Sequence, residues 1–192
     1  MMPQERDWSK LRLRDRILPG VRVLFVGINP GVRSALTGHH FAGPSNRFWK
    51  LLMDSGLVPE RISYEDDVRL PEWGYGITNL VPRPSPGIND LKPVEYVAGW
   101  KALERKIRRF RPQVVALVGV TLYRAILPLV DPGARRVRAP LLAVTGLQSI
   151  EIHGAQVFVL PNPSGRNANF SYAEMLAAFR SLQRLITSTR QA

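Results

Sequence analysis

The sequence predicts an α/β fold, a three-layer α/β/α sandwich around a mostly parallel central sheet. Three observations carry this. Four apolar runs recur along the chain: Val21–Val26, Gly76–Val81, Val114–Val118 and Gln156–Leu160. Each is continuous rather than alternating, the pattern of strands covered on both faces. Helical patterns separate them, and strand–helix alternation builds βαβ units. With 192 residues, 45% of them hydrophobic, the chain has material for one such domain over residues 1–192.

Each element has its local reason. Val21–Val26 runs into Gly27-Ile28-Asn29-Pro30-Gly31, whose composition ends a strand. Ser45 is the expected cap of a helix with Phe48, Leu51 and Leu52 on one face, stopped near Gly56. The second strand feeds Asn79–Pro93, a long Pro/Gly-rich connection of the kind that often carries function. Pro93 suits a helix first turn, and Val94, Val97, Trp100, Leu103, Ile107 and Phe110 follow at three- and four-residue steps. Ser149–His153 and Gln156–Leu160, joined through Gly154-Ala155, read as a hairpin with one antiparallel strand. Ser171 and Glu174 form a capping box. Tyr172, Met175, Leu176, Phe179 and Leu182 make the buried stripe of a last helix.

Composition narrows the chemistry. The chain has no cysteine, which removes disulfide-stapled domains, thiolate metal sites and iron–sulfur clusters. Its three histidines include the adjacent pair His39 and His40, which point in different directions, so a metal site is not indicated. No apolar run approaches the ~20 residues of a membrane helix, and Met1–Lys10 is polar, so a soluble, cytoplasmic protein is expected. The net charge of +12 favours a polyanionic partner, nucleic acid before a membrane surface. Three basic groups stand out: Lys10 to Arg16, Arg105 to Arg111, and Arg135, Arg136 and Arg138. None is an uninterrupted run, so they read as decorated faces of a folded domain.

Two strand-end turns share one design. Gly27–Gly31 follows the first strand, and Pro161-Asn162-Pro163-Ser164-Gly165 follows the last. In open α/β sheets such turns sit at the carboxyl edge, where ligands bind. The first turn has no acid, histidine, cysteine or lysine, so its chemistry rests on an amide side chain and backbone donors. It is not G-x-G-x-x-G and no Walker lysine follows, which disfavours a nucleotide cofactor. No nucleophile elbow is present for a catalytic triad.

The fuller strings are Gly27-Ile28-Asn29-Pro30-Gly31-Val32-Arg33-Ser34, Thr37-Gly38-His39-His40-Phe41-Ala42, Pro44-Ser45-Asn46-Arg47-Phe48-Trp49-Lys50, Gly76 to Pro84, and Asn162-Pro163-Ser164-Gly165. From Val21 to the last helix the chain resembles the mismatch-specific uracil-DNA glycosylases, the Mug/thymine-DNA glycosylase family. The resemblance implies a uracil-DNA glycosylase-like fold, duplex DNA containing uracil or mismatches as partner, no metal or organic cofactor, no membrane, and action as a monomer. Such an enzyme must flip its target nucleotide into a pocket before hydrolysing the N-glycosidic bond.

The resemblance also assigns roles. Asn29 becomes the catalytic residue, its carboxamide holding the attacking water; an amide cannot take a proton as a carboxylate does. The route is then largely dissociative, without the roughly 10²–10⁴-fold that a general base supplies. The alternative for Asn29 is an ordinary turn asparagine. Phe41 matches the aromatic that stacks on the flipped base, worth about 1–3 kcal/mol; otherwise it is a core phenylalanine. The backbone at Ile28 and Phe41 would read the uracil edge, and Ser34 would line the pocket near C5 of the pyrimidine. Asn162 belongs to the loop that enters the duplex, with Ser164, Gly165 and Arg166 as DNA contacts. Arg166 departs from the family's pattern by standing where an apolar wedge is expected; its other reading is a phosphate contact. Arg47, Lys50 and Arg83 are expected on phosphates. Asp90 is either a second catalytic carboxylate or a helix cap ahead of Pro93. The competing functions are an inactive nucleic-acid-binding module of the same fold and a hydrolase of free nucleosides. The wedge loop and the charge argue against the latter.

Overall fold

The structure, a computed structural model, describes residues 7–133 and 144–188. The basic group Arg135, Arg136 and Arg138 and the first six residues lie outside them. Five strands form one sheet: β1 (Val23–Gly27), β2 (Tyr75–Asn79), β3 (Val114–Val118), β4 (Gly146–Ile152) and β5 (Ala155–Leu160). Their order is β2-β1-β3-β5-β4. β1, β2, β3 and β5 run parallel, and β4 pairs antiparallel with β5. The expected hairpin is therefore present. Its turn puts His153 at φ 50° and Gly154 at φ 81°, two left-handed residues whose twist matches that of the strands.

Helices flank the sheet: α1 (Val32–Thr37), α2 (Phe48–Asp54), α3 (Pro93–Phe110), α4 (Val120–Val130) and α5 (Tyr172–Ser188). A 3₁₀ segment, Tyr64–Trp73, leads into β2. α3 packs on α4, and α2 on α5. Every residue of β1 and β3 is buried, as continuous apolar runs require when both sheet faces are covered. Neither α1 nor α4 is foreseen from periodicity; α1 is short, and α4 begins immediately after β3 at Gly119. Among the described residues no helix is long and apolar enough to cross a membrane.

Two local expectations are corrected. Ser45 does not cap α2. Arg47 is the N-cap residue, and the side chain of Asn46 accepts the Phe48 N–H at 3.0 Å. Val94 and Val97 do not belong to the buried stripe of α3, being 67% and 41% exposed. The reason is Gly99. A Cβ there would lie 2.4 Å from the Leu80 carbonyl oxygen, so α3 closes on the sheet at Gly99 and buries Trp100, Leu103 and Ile107 instead. The capping box of α5 forms as expected: Ser171 N–H donates to Glu174 at 2.7 Å, and Glu174 N–H to the Ser171 hydroxyl at 3.2 Å.

The chain passes from β1 to β2 on one side, then crosses to β3 on the other. Strand order reverses between β1 and β3. The crevice above that reversal, at the carboxyl ends of the strands, is where open α/β sheets receive ligands.

Candidate active site

The turn after β1 is tied to the loop after β2. Leu80 N–H donates to Gly27 O and Val81 N–H to Ile28 O, both at 2.8 Å, and Ser85 N–H to Pro30 O at 3.1 Å. The β1–β2 pairing thus continues past the strands and holds the backbone beneath Asn29.

The Asn29 carboxamide is oriented without ambiguity. Its nitrogen lies 2.8 Å from Ser85 Oγ and 3.2 Å from the carbonyl oxygens of Arg83 and Pro30. Carbonyl oxygens only accept, so the NH₂ end must face them. Ser85 is 2% exposed and donates its own proton to Gly87 O at 2.6 Å, leaving a lone pair for Asn29. Asn29 Oδ1 has no partner among the described residues. No buried side-chain oxygen or nitrogen among them is left unpaired, so this oxygen faces open space. The turn presents a fixed acceptor.

Phe41, whose ring approaches Gly27 at the end of β1, has a left-handed backbone conformation, φ 52°, which is uncommon for a bulky residue. The bonds on either side impose it. His40 N–H donates to Asp67 Oδ2 at 2.9 Å, the Trp49 indole donates to His40 O at 3.0 Å, and Ala42 N–H donates to Ser34 Oγ at 3.1 Å. The Phe41 N–H itself has no acceptor among the described residues. One face of the Phe41 ring stacks on Phe48, with centroids 4.3 Å apart. Ser34 is buried, and its hydroxyl braces this turn instead of facing open space.

Gly27 lets the parts converge. A Cβ there would come within 2.6 Å of Asn79 Oδ1 and 3.3 Å of Phe41 Cζ. Asn79 ends β2 in register with Gly27, and its amide nitrogen lies 3.4 Å from His40 Nδ1. His40 Nε2 must carry the proton, because it meets the Arg14 carbonyl at 2.9 Å. Burial holds the His40 imidazole below its ordinary pKa and therefore neutral.

The late loop reaches the same edge. Arg47 N–H donates to Pro163 O at 2.9 Å. Gly165 lies so close to Ser45 that a Cβ would sit 2.8 Å from its carbonyl oxygen. Both ends of the chain therefore build one site. Asn162 Oδ1 accepts the Ser164 N–H at 3.0 Å, the Asn162 carbonyl accepts from the Asn167 amide at 2.8 Å, and Arg166 projects exposed from the tip. A cleft of about 180 Å³ separates this loop from the start of α4.

Two of the three residues expected on phosphates, Arg83 and Lys50, are ion-paired within the fold. Arg83 forms a two-bonded pair with Glu95, at 2.7 and 2.9 Å, and donates to Asp90 O at 2.8 Å. Its guanidinium lowers Glu95 to a pKa of about 2. Lys50 pairs with Asp54 beside the Tyr172 ring. The Arg47 guanidinium lies 4.0 Å from Met175 Sδ on α5. The Asp90 carboxylate accepts the Gly87 N–H at 3.0 Å. It caps its own short turn, not α3, where Glu95 accepts the Lys92 N–H. Among the described residues no three of His, Cys, Asp and Glu gather as metal ligands.

Sequence reasoning misses Ser85, Asn79 and Asp67. A polar residue ending the second strand, as Asn29 follows the first, is a usable signal for Asn79. Ser85 and Asp67 act through tertiary contacts alone.

Residues 15–183 match the Uracil DNA glycosylase superfamily. The fold is similar to the solution NMR structure of a candidate uracil DNA glycosylase from Methanosarcina acetivorans. The TM-score is 0.55 at 18% identity, over 91% of this chain and 98% of that one. A fixed amide acceptor at the strand-order reversal and a family match over nearly the whole chain converge: this protein belongs to the uracil DNA glycosylase superfamily.

Proposed function

We propose that the protein is a monofunctional glycosylase of the mismatch-specific, Mug/thymine-DNA glycosylase type. In this reading it flips uracil out of duplex DNA and hydrolyses its N-glycosidic bond, leaving an abasic site. Thymine and other modified pyrimidines in mismatches are further substrates, because one methyl group rarely gives more than about 1–3 kcal/mol of discrimination.

The observation that carries the reading is the Asn29 amide, fastened by nitrogen with its oxygen free. That oxygen accepts one hydrogen of a water and aims its lone pair at the sugar C1′. The C1′–N1 bond breaks ahead of attack, its electron pair leaving with the base. The oxocarbenium sugar then takes the water oxygen, which releases a proton to solvent. Asn29 positions water and does not deprotonate it, so stabilising the departing base is the main task of the site. The unpaired Phe41 N–H supplies a donor at the base edge, and the Phe41 ring offers its face opposite Phe48 for stacking. Ile28 and Asn79 border the same pocket. Arg166 fills the gap in the duplex. Asp90 holds the loop that holds Ser85.

The test is a duplex with a single uracil, incubated with protein and heated in alkali. Strand cleavage from G:U, A:U or single-stranded substrate is expected. Asn29→Ala should lose nearly all cleavage and keep its DNA affinity. Absence of cleavage by the parent protein on all three substrates, with DNA binding intact, would make the chain a binding module only. Asp90→Ala should retain most activity if the carboxylate serves the loop alone.

A further inference from the structure

We propose that the N-terminal segment Lys10–Arg14 is a second DNA-contacting element, a rail for the phosphodiester backbone beside the crevice. It rests on the reading above only in taking that crevice as the face that meets DNA.

The segment is fastened by backbone, which leaves Arg12 and Arg14 without acidic partners, while Lys10 pairs with Asp7 at 3.2 Å. Arg16 pairs antiparallel with Ile77 in β2 through two bonds, 3.0 and 2.9 Å. Going backwards from Arg16, the segment therefore runs with β2 towards the carboxyl edge of the sheet. Asp15 comes level with Thr78, whose hydroxyl donates to it, and Lys106 closes that contact at 2.7 Å. Arg14 comes level with the site, where its carbonyl accepts from His40 Nε2 at 2.9 Å. His40 is the residue before Phe41. The rail is hydrogen-bonded to the loop that forms the pocket wall.

Side chains alternate along it. From Lys10 to Arg14, Leu11 and Leu13 are half-buried while Lys10, Arg12 and Arg14 are exposed; the alternation stops at Asp15, which is also exposed. Alternate residues of an extended chain lie about 7 Å apart, so Arg12 and Arg14 present a row of charge rather than a point. Arg16 is not part of that row, because its guanidinium is held by Asp67 and the Gly38 carbonyl. Arg12 touches only the neighbouring Ser9 and Leu11 carbonyls. The Arg14 guanidinium has no partner among the described residues. Lys50 and Arg83 are ion-paired within the fold, whereas Arg12 and Arg14 add uncompensated charge at the rim. Arg109 and Arg111 lie towards the opposite pole, at the end of α3 and ahead of the start of β3.

A backbone contact of this kind strengthens binding without reading sequence. The experiment compares the parent protein with Arg12→Ala/Arg14→Ala and with Arg109→Ala/Arg111→Ala, which removes the same charge at the far pole. Duplex affinity is measured against salt, with and without uracil, together with single-turnover excision at saturating protein. The rail variant should bind both duplexes about tenfold more weakly at low salt. Its slope of log K against log salt should shrink by about 1.8, the release of two phosphate contacts. Its saturated excision rate should match the parent's, and the far-pole variant should keep the parental slope. A parental slope in the rail variant overturns the proposal, as does an equal loss in both variants. A parent that binds duplex but excises nothing removes the glycosylase reading and leaves the rail testable by binding alone. A parent that does not bind duplex overturns both.

Discussion

The Asn29 amide nitrogen donates to Ser85 Oγ at 2.8 Å, joining two loops whose residues stand 56 positions apart. Ser85 in turn donates to Gly87 O. The hydroxyl is fixed as acceptor to one side and donor to the other, so the bond transmits the shape of the β2–α3 loop to the carboxamide. Chemistry at an amide depends on which end faces the reactant. Here that choice is made by a residue that need not touch substrate.

Ser85→Ala should therefore slow excision while sparing DNA binding. The two carbonyl partners of Asn29 remain, so the amide loosens and does not flip. A loss of about tenfold in single-turnover rate is expected, equivalent to ~1.4 kcal/mol. Ser85→Thr, which keeps the hydroxyl, should restore most of it. Equal rates for Ser85→Ala and parent would show that the carboxamide is held without the hydroxyl.

Asn29→Asp offers a sharper test, because a carboxylate looks like an improved base. The site argues otherwise. The oxygen replacing Nδ2 would face the carbonyls of Arg83 and Pro30 at about the present 3.2 Å, acceptor against acceptor. The carboxyl would be pushed towards its protonated form or turned out of line. Excision should fall below the parent's across neutral pH, and thermal stability should drop. A faster enzyme would mean that the loop relaxes around the new group.

The sheet and the two strand-end turns were legible in sequence because their cause is local. Val114–Val118 can only be a covered strand, and Gly154 can accept the left-handed turn that the hairpin needs. Asn29 and Phe41 were legible through motif. Their supports were not. Asp67 holds His40 across 27 residues and Ser34 holds Ala42 across eight, and no periodicity announces either bond. The ion pairs of Arg83 and Lys50 are hidden from the sequence for a related reason. A positive charge in sequence says nothing of the Glu95 or Asp54 that cancels it. The buried stripe of α3 was misread because one small residue, Gly99, decides which face can approach the sheet.

Gly27→Ala tests how tightly the crevice is built. The added methyl would meet Asn79 Oδ1 at 2.6 Å and Phe41 Cζ at 3.3 Å. Asn79 would have to leave His40, and Phe41 would have to tilt on Phe48. Overpacking of this kind costs about 1–3 kcal/mol of stability. The functional loss should fall on substrate capture, because Asn29 is held from the other side by Ser85. The half-saturating duplex concentration should rise more than the saturated rate falls. A normal substrate response in a folded Gly27→Ala protein would show that the base does not enter between these residues.

His40 should give stability a distinct pH dependence. Burial lowers its pKa from 6.5 in the folded protein, and Asp67, Asp15 and Arg16 are the charged groups around it. The unfolded chain takes up a proton near 6.5 and the folded chain resists it. Protons then bind preferentially to the unfolded state, so stability must fall as pH drops from 8 through 6.5 and level off only below the folded pKa. One proton gives at most about 1.4 kcal/mol per pH unit. Protonation would also place a donor at Nδ1, opposite the Asn79 amide nitrogen that now donates there, and the pocket wall should loosen with it. Urea unfolding from pH 8 to 5 for the parent and for His40→Gln isolates this term, since every other titrating group is shared. The parent should lose stability faster than the variant across this range. Parallel profiles would mean that the imidazole charges freely in the folded state.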